Sequence, residues 1–187
     1  FVDNKIKEID VVVISDYAKG VITPEVGKKI ISLAKQNKKP VIVAPKPKHR
    51  DFYVGVDLIT PNNNEASEMS GIEDGAAETV LQMGSKLLEQ LKANVLITRG
   101  EKGMSLFEID NSVTNIPAKA KEVYSLIGAG DTVVATAALA IASGADLKEA
   151  AFLANIAAGI KVGKIGTASV SVEEIKKEIE NDKSYIL

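Results

Sequence analysis

Short runs of β-branched residues, separated by helix-like stretches, are the feature that most constrains the fold. Apart from Asp10, residues 10–14 (DVVVI) and 40–44 (PVIVA) are apolar, as is typical of strands buried on both faces of a parallel sheet. Two further strands and a β-hairpin are predicted at residues 57–60, 95–98, and 103–109 with 112–117. Since helical patterns separate these runs, the sequence predicts an α/β fold with a mostly parallel sheet.

Capping residues mark where the helices begin. Residues 23–25 (TPE) supply an N-cap, an N1 proline and a first-turn acid for a helix that runs to about Asn37. Further helices are predicted over residues 64–70, 76–91, 131–143, 146–162 and 171–181. The last two begin with capping boxes, which start at Asp146 and Ser171.

Composition excludes several classes of protein. Without cysteine there is no disulfide, thiolate catalysis or cysteine-bound metal. A net charge of −2 gives no general attraction to nucleic acid or anionic membranes, so we expect neither as a partner. The most apolar stretch, residues 133–142, is too short to span a bilayer. We expect a cytoplasmic protein and, because the chain begins at Phe1 rather than Met, a fragment of a longer one.

The most informative segment is residues 128–132 (GAGDT). Small residues at a predicted helix start leave backbone N–H groups free, and these groups with the helix dipole form an anion site. Asp131 could accept a proton from an attacking hydroxyl while those groups hold a transferring phosphate. A tight turn with Asp131 as a helix cap is the alternative interpretation. The glycine spacing fits neither a Walker loop nor a dinucleotide-binding fingerprint.

This segment resembles the C-terminal signature of the ribokinase-like (PfkB) carbohydrate kinases. Further motifs resemble that family in the same order: residues 15–20 (SDYAKG), 60–62 (TPN) with Glu65, 98–106 (TRGEKGMSL), 122–124 (EVY), 154–159 (ANIAAG) and 162–167 (VGKIGT). Together they resemble the branch that phosphorylates D-glycero-β-D-manno-heptose 7-phosphate for the ADP-heptose of lipopolysaccharide. The resemblance implies that residues 1–187 are the C-terminal nucleotide-binding part of one ribokinase-like kinase domain.

The resemblance also implies roles for individual residues. Asp131 would be the catalytic base, and Gly128, Ala129 and Gly130 would form the anion hole for the transferring phosphate. The implied nucleotide-binding residues are Lys46, Asn62, Glu65, Thr98, Arg99, Gly100, Gly103 and Asn155. Of these, Asn62 and Glu65 would organise Mg²⁺ near the phosphates. The implied substrates are ATP and a phosphorylated sugar.

Plain structural interpretations stand beside some of these roles. Asn62 could cap a helix after Pro61, and Asn155 could be a polar residue inside a helix. Lys46 and Arg99 could be solvated charges. His49, the only histidine, is predicted to be a surface residue.

The chain departs from the family pattern in three places. Ser125 and Ile127 replace an acidic residue and a threonine that help to bind an activating monovalent cation, which puts that cation in doubt. Ala44 replaces the aspartate of a D-P-K segment that contains Lys46. The family's N-terminal half, with its first strands and lid, is absent. We therefore predict an open apolar sheet edge that pairs with that missing half or with a second subunit.

Three functions follow as hypotheses. The first is an ATP-dependent kinase that converts heptose 7-phosphate into heptose 1,7-bisphosphate. The second is a kinase of the same family that acts on another sugar or a nucleoside. The third is a nucleotide-binding fragment without catalytic activity.

Overall fold

A single six-stranded sheet forms the centre of the protein in a computed structural model that describes residues 1–75, 78–118 and 123–181. The strands lie side by side in chain order: β1 (Val12–Ser15), β2 (Val41–Ala44), β3 (Leu58–Ile59), β4 (Asn94–Thr98), β5 (Met104–Phe107) and β6 (Val113–Ile116). Strands β1 to β4 pair in parallel, whereas β4, β5 and β6 pair antiparallel. The predicted α/β class and the predicted hairpin are confirmed.

Helices precede, connect and follow the strands: α1 (Val2–Lys5), α2 (Pro24–Gln36), α3 (Asn63–Ser70), α4 (Thr79–Leu91), α5 (Ala129–Ala142), α6 (Leu147–Val162) and α7 (Val172–Asn181). The predicted caps are present, since the Thr23 side chain accepts the Val26 N–H and Asp146 forms a capping box with Glu149. Over the ranges described, no helix combines the length and the hydrophobicity that a membrane span needs.

The sheet separates two hydrophobic cores because alternate strand residues face opposite sides. Val43, Ile59 and Val95 pack in one core with residues of α2, α3 and α4. The intervening residues Ile42 and Leu58 pack in the other core against α5 and α6. This burial on both faces explains why β2 and β3 are apolar at every position.

The prediction that the first strand is buried on both faces is wrong. Ile14 is buried, but Val13 is 42% exposed and Ser15 is also exposed. Among the described residues β1 pairs only with β2, so it is an edge strand. This exposed edge is the one that the sequence predicted to need a partner.

Two helix boundaries differ from the predictions. Helix α5 begins at Ala129, two residues before the predicted start, because Gly128 takes the N-cap position with φ of +79°. The predicted start of α4 includes residues 76 and 77, which lie outside the described residues, and the helix is observed from Thr79. A 3₁₀ helix at Pro47–Tyr53 was not predicted.

We expect Gly84→Ala to lower the free energy of unfolding by about 1–3 kcal/mol, although alanine favours helix. A Cβ at Gly84 would lie 2.3 Å from ring carbons of Phe107, so α4 and β5 would have to separate. Urea denaturation measures the change. Ser85→Ala on the exposed side of α4 is the matched control, and we expect a change within about 0.5 kcal/mol. Equal stabilities of the two variants would contradict this account.

Candidate active site

A cleft of about 170 Å³ lies where the parallel strands end. Ser15, Ala44 and Thr98 are the last residues of β1, β2 and β4, and Thr60 directly follows β3; all four line the cleft. In parallel sheets, ligands bind at this carboxyl edge. The remaining lining residues come from the loops beyond it and from the first turns of α3 and α5: Asp16, Tyr17, Pro45, Lys46, Asn62, Glu65, Gly128, Gly130 and Asp131.

The start of α5 lies at this cleft, and two of its backbone donors have no acceptor among the described residues. The first bond of the helix runs from the Thr132 N–H to the Gly128 carbonyl, and the Thr132 hydroxyl donates to the same oxygen. Ala129 donates its N–H to the Leu126 carbonyl at 3.2 Å. Within the described residues, the N–H groups of Gly130 and Asp131 have no protein acceptor. The first turn therefore offers an anion two donors and the positive end of the helix dipole.

Space and charge at this turn also suit an anion. Gly130 lines the cleft, and a Cβ built on it would meet no atom within 4 Å, so the space beside this residue is open. Behind the turn, the side chain of Lys161 is 2% exposed, and its ammonium donates to the Gly166 carbonyl at 2.8 Å. Its Cε lies 3.4 Å from the position that a Cβ on Gly128 would take. Sequence analysis did not single out this buried cation, because nothing in the α6 pattern shows which way Lys161 faces.

Asp131 carries an exposed carboxylate at the edge of the same cleft. Its Oδ1 atom accepts a hydrogen bond of 3.0 Å from the hydroxyl of Tyr17. Gly128, not Asp131, is the N-cap residue, so the interpretation of Asp131 as a helix cap is not the arrangement observed.

Lys46, Asn62 and Glu65 form one connected group that lines the same cleft. Asn62 and Glu65 make a reciprocal capping box at the start of α3, with bonds of 2.9 and 3.0 Å. Lys46 donates to the other Glu65 carboxylate oxygen at 2.6 Å, and this hydrogen bond raises the pKa of Lys46. Asn62 does cap a helix, and it also lines the cleft. Lys46 is paired rather than simply solvated.

Of the other predicted nucleotide-binding residues, one lines this cleft and the rest do not. Thr98 lines it at the end of β4, whereas Arg99 and Gly100 follow in the next turn and are absent from the cleft wall. The Arg99 guanidinium donates to the Ser105 hydroxyl at 3.1 Å. Gly103 has φ of +80°, and a Cβ there would lie 2.0 Å from the Ile116 carbonyl oxygen. Asn155 is 6% exposed and donates to the Pro117 carbonyl at 2.9 Å.

A buried carboxylate anchors the turn after β1, and sequence analysis missed it. Asp16 is 4% exposed; its Oδ2 accepts the Tyr53 hydroxyl at 2.5 Å and lies 2.7 Å from His49 Nδ1. Its Oδ1 accepts the Ala18 N–H at 2.7 Å. Burial tends to raise the pKa of Asp16, but these hydrogen bonds outweigh burial and hold the pKa below the usual value of 3.8.

The prediction that His49 is a surface residue is wrong. Its side chain is 15% exposed because the 3₁₀ helix at Pro47–Tyr53 turns it towards Asp16. The imidazole ring also stacks on Phe52, with 4.6 Å between ring centroids. No local sequence pattern indicates the contact between His49 and Asp16, because 33 positions separate the two residues.

The fold and the cleft together define a class of protein. Arabidopsis thaliana ribokinase, solved with ribose and ATP, superposes with a TM-score of 0.81 at 23% identity over 94% of this chain and 57% of its own. Escherichia coli phosphofructokinase-2, solved with potassium, gives a TM-score of 0.80 at 21% identity over 94% of this chain and 59% of its own. The fold is therefore that of the ribokinase-like kinases.

Sequence comparison gives the family. The model of the pfkB family carbohydrate kinases matches residues 2–175, and the chain belongs to this family. It is 43% identical over 183 residues to the bifunctional protein HldE of Pseudomonas entomophila, with 97% of this chain and 38% of that protein covered. It is 46% identical over 167 residues to the HldE protein of Geobacter metallireducens, with 89% of this chain and 34% of that protein covered. The chain thus spans little more than a third of these curated relatives.

We expect Asp16→Asn to lower the free energy of unfolding by about 1–3 kcal/mol at neutral pH, because an amide nitrogen cannot accept from Tyr53 or His49. The pKa of Asp16 is depressed on folding, so its contribution is present above 3.8 and lost as the pH falls through the lower folded value. Urea denaturation at neutral pH and near pH 3 measures the difference from the unmodified protein, which should shrink at the lower pH.

Asp51→Asn is the control for this experiment. Asp51 lies on the same 3₁₀ helix, and its exposed side chain forms a surface ion pair with Arg50. Such pairs contribute about 0–1 kcal/mol. If Asp16→Asn lowered the free energy of unfolding equally at both pH values, the stabilisation could not be attributed to the ionised Asp16 carboxylate.

Proposed function

We propose that the gene product carrying this chain is an ATP-dependent sugar kinase, and that residues 1–187 are the C-terminal nucleotide-binding part of its single kinase domain. One observation carries the proposal: the Asp131 carboxylate lines a cleft beside two backbone N–H groups that have no protein acceptor among the described residues. A base next to an anion site is what transfer of a phosphoryl group to a hydroxyl requires. Membership of the pfkB family supports the same reaction class.

The proposed acceptor is heptose 7-phosphate, which would become heptose 1,7-bisphosphate on the route to ADP-heptose and lipopolysaccharide. Two observations support this choice over another sugar or a nucleoside. The first is the resemblance of residues 15–20 and 154–167 to heptose 7-phosphate kinases. The second is identity of 40–46% to proteins named HldE. Turnover measured with a panel of phosphorylated and free sugars separates these acceptors.

The proposed phosphoryl transfer uses the groups at the start of α5. The acceptor hydroxyl oxygen attacks the γ-phosphorus of ATP in line, the bond from that phosphorus to the bridging oxygen breaks, and ADP leaves. Asp131 takes the hydroxyl proton. The N–H groups of Gly130 and Asp131 stabilise the charge on the transferring group, with Gly128 and Ala129 setting the shape of the turn.

Lys46 and Thr98 are proposed to contact the phosphates, because both line the cleft. Arg99, Gly100, Gly103 and Asn155 are proposed nucleotide contacts on the resemblance alone. The Asn155 amide would act through the Pro117 carbonyl that it holds.

The cleft residues fit a divalent cation. Mg²⁺ is usually held by one or two carboxylates together with waters and substrate phosphates. Asn62 and Glu65 would organise the ion and its waters, since both line the cleft and hydrogen bonds within the capping box and from Lys46 hold their oxygens in place. When bound, the ion would neutralise phosphate charge. Over the described ranges no group of three or more histidine or acidic side chains could hold a metal without such phosphates.

The residues before Gly128 do not fit a monovalent cation held by side chains. Ile127 has no ligand oxygen, and the Ser125 hydroxyl accepts the Ile127 N–H at 3.3 Å. We propose no role for such a cation in the reaction.

A partner for the sheet edge belongs to the same proposal. The exposed side of β1 would pair with the N-terminal half of the kinase domain or with a second subunit. We place the enzyme in the cytoplasm because its proposed cosubstrate is ATP.

We expect Asp131→Asn in the complete gene product to reduce turnover by about 10²–10⁴-fold, because the amide cannot take the acceptor proton. ATP affinity should change little, since the backbone donors remain. A coupled assay of ADP release and a separate nucleotide-binding titration measure the two quantities. Asp110→Asn, in the β5–β6 turn at the far end of the sheet, is the control and should retain full turnover. Unaltered turnover in Asp131→Asn would reject the base.

A nucleotide-binding module without phosphoryl transfer is the second candidate. The observation that favours it is the exposed edge of β1, which has no strand on its outer side among the described residues. ATP binding by the complete gene product, with no ADP release in the presence of any sugar or nucleoside of the acceptor panel, would favour the module over the kinase.

A further inference from the structure

The turn that follows β1 carries a motif to which the proposed reaction gives no role. Residues 15–20 (SDYAKG) leave the sheet at the cleft, and the turn contains two left-handed residues, Ala18 with φ of +54° and Gly20 with φ of +91°. Alanine rarely adopts this conformation, so surrounding interactions must hold it. The turn is built to a defined shape.

The interactions that hold the turn come from Asp16. Its carboxylate binds the Ala18 N–H on one side and contacts Tyr53 and His49 on the other. Burial of Tyr53 raises its pKa well above the usual range, and the neighbouring Asp16 carboxylate raises it further. Tyr53 is therefore a neutral hydrogen-bond donor. Because a buried carboxylate left without donors is costly, these contacts fix the backbone on both sides of Tyr17.

Tyr17 itself is directed towards the reaction centre. Its side chain is 60% exposed, so it contributes little to the core. Its hydroxyl donates to Asp131 Oδ1 at 3.0 Å across 114 residues of sequence. An exposed aspartate at the start of a helix would otherwise sample several rotamers.

We propose that Tyr17 is a positioning residue for the catalytic base. Its hydroxyl holds Oδ1 of Asp131 and leaves Oδ2 to receive the proton of the acceptor hydroxyl, while the Asp16 network holds Tyr17 in place. This inference rests on the proposed function, because it acts through Asp131. It assigns a task to the SDYAKG turn that the anion site and the Asn62–Glu65 pair do not perform.

The test is Tyr17→Phe in the complete gene product, assayed with ATP and heptose 7-phosphate. We expect kcat to fall by about ten- to a hundredfold, because the Asp131 carboxylate loses the hydrogen bond that fixes its orientation. The KM for ATP should stay within about twofold and the thermal midpoint should be unchanged, since the ring remains. Ser143→Ala is the matched control: it removes one hydroxyl hydrogen bond at the opposite end of α5 and should leave kcat unchanged.

A second variant tests the route through Asp16. Tyr53→Phe removes one donor from Asp16, and we expect it to lower kcat by loosening the turn. In the double variant Tyr17→Phe/Tyr53→Phe, kcat should be no lower than in Tyr17→Phe alone, because the contact that Tyr53 supports is already absent. Multiplicative effects of the two substitutions would overturn the coupling.

The outcomes distinguish this inference from the proposed function. Wild-type kcat in Tyr17→Phe, or an equal change in kcat and the KM for ATP, overturns the positioning role while Asp131→Asn still tests the base. If Asp131→Asn retains full turnover, the proposed function fails, and the positioning role fails with it.

Discussion

Parallel pairing of β1 to β4 is the constraint on which the site depends. It places four strand ends at one edge of the sheet, so the loops carrying Tyr17, Lys46 and Asn62 leave the sheet on the same side as Thr98, the last residue of β4. Helix α5 reaches the same edge because its apolar face packs on alternate residues of these strands. The antiparallel pair β5–β6 extends the core without supplying a residue to the cleft wall described here.

Local sequence signals predicted much of this architecture, because they depend on neighbouring residues. Apolar runs located the strands, and caps at Thr23, Asp146 and Ser171 located three helices. The GAGDT segment indicated where a helix begins at the cleft, and its alternating glycines were sufficient for that. The role assigned to Asp131 stays a prediction.

Interactions between distant parts of the chain could not be predicted in this way. The Asp16–His49 and Tyr17–Asp131 contacts join residues 33 and 114 positions apart, and neither has a local pattern. The exposure of Val13 was misjudged for a related reason: an apolar run shows that a strand can be buried, and only the pairing order shows that it lies at an edge.

The capping box at α3 couples stability to the site. Asn62 and Glu65 satisfy each other's backbone donors, and Lys46 neutralises the carboxylate. The same side chains line the cleft, so a substitution there changes helix α3 and the cleft together. Loss of activity at these positions therefore needs a stability measurement beside it before it can be attributed to metal or nucleotide.

Because 114 residues separate Tyr17 from Asp131, the strands that form one side of the cleft are synthesised well before helix α5. When β1 to β4 have left the ribosome, the side of the sheet that carries Ile42, Leu58 and Leu96 still lacks α5 and α6, which come later in the chain. During that interval the nascent chain exposes a flat apolar surface of the kind that aggregates or recruits chaperones. Translation of α5 and α6 covers this surface and also brings Gly130 and Asp131 to the edge of the sheet, so one step both hides the apolar face and completes the cleft.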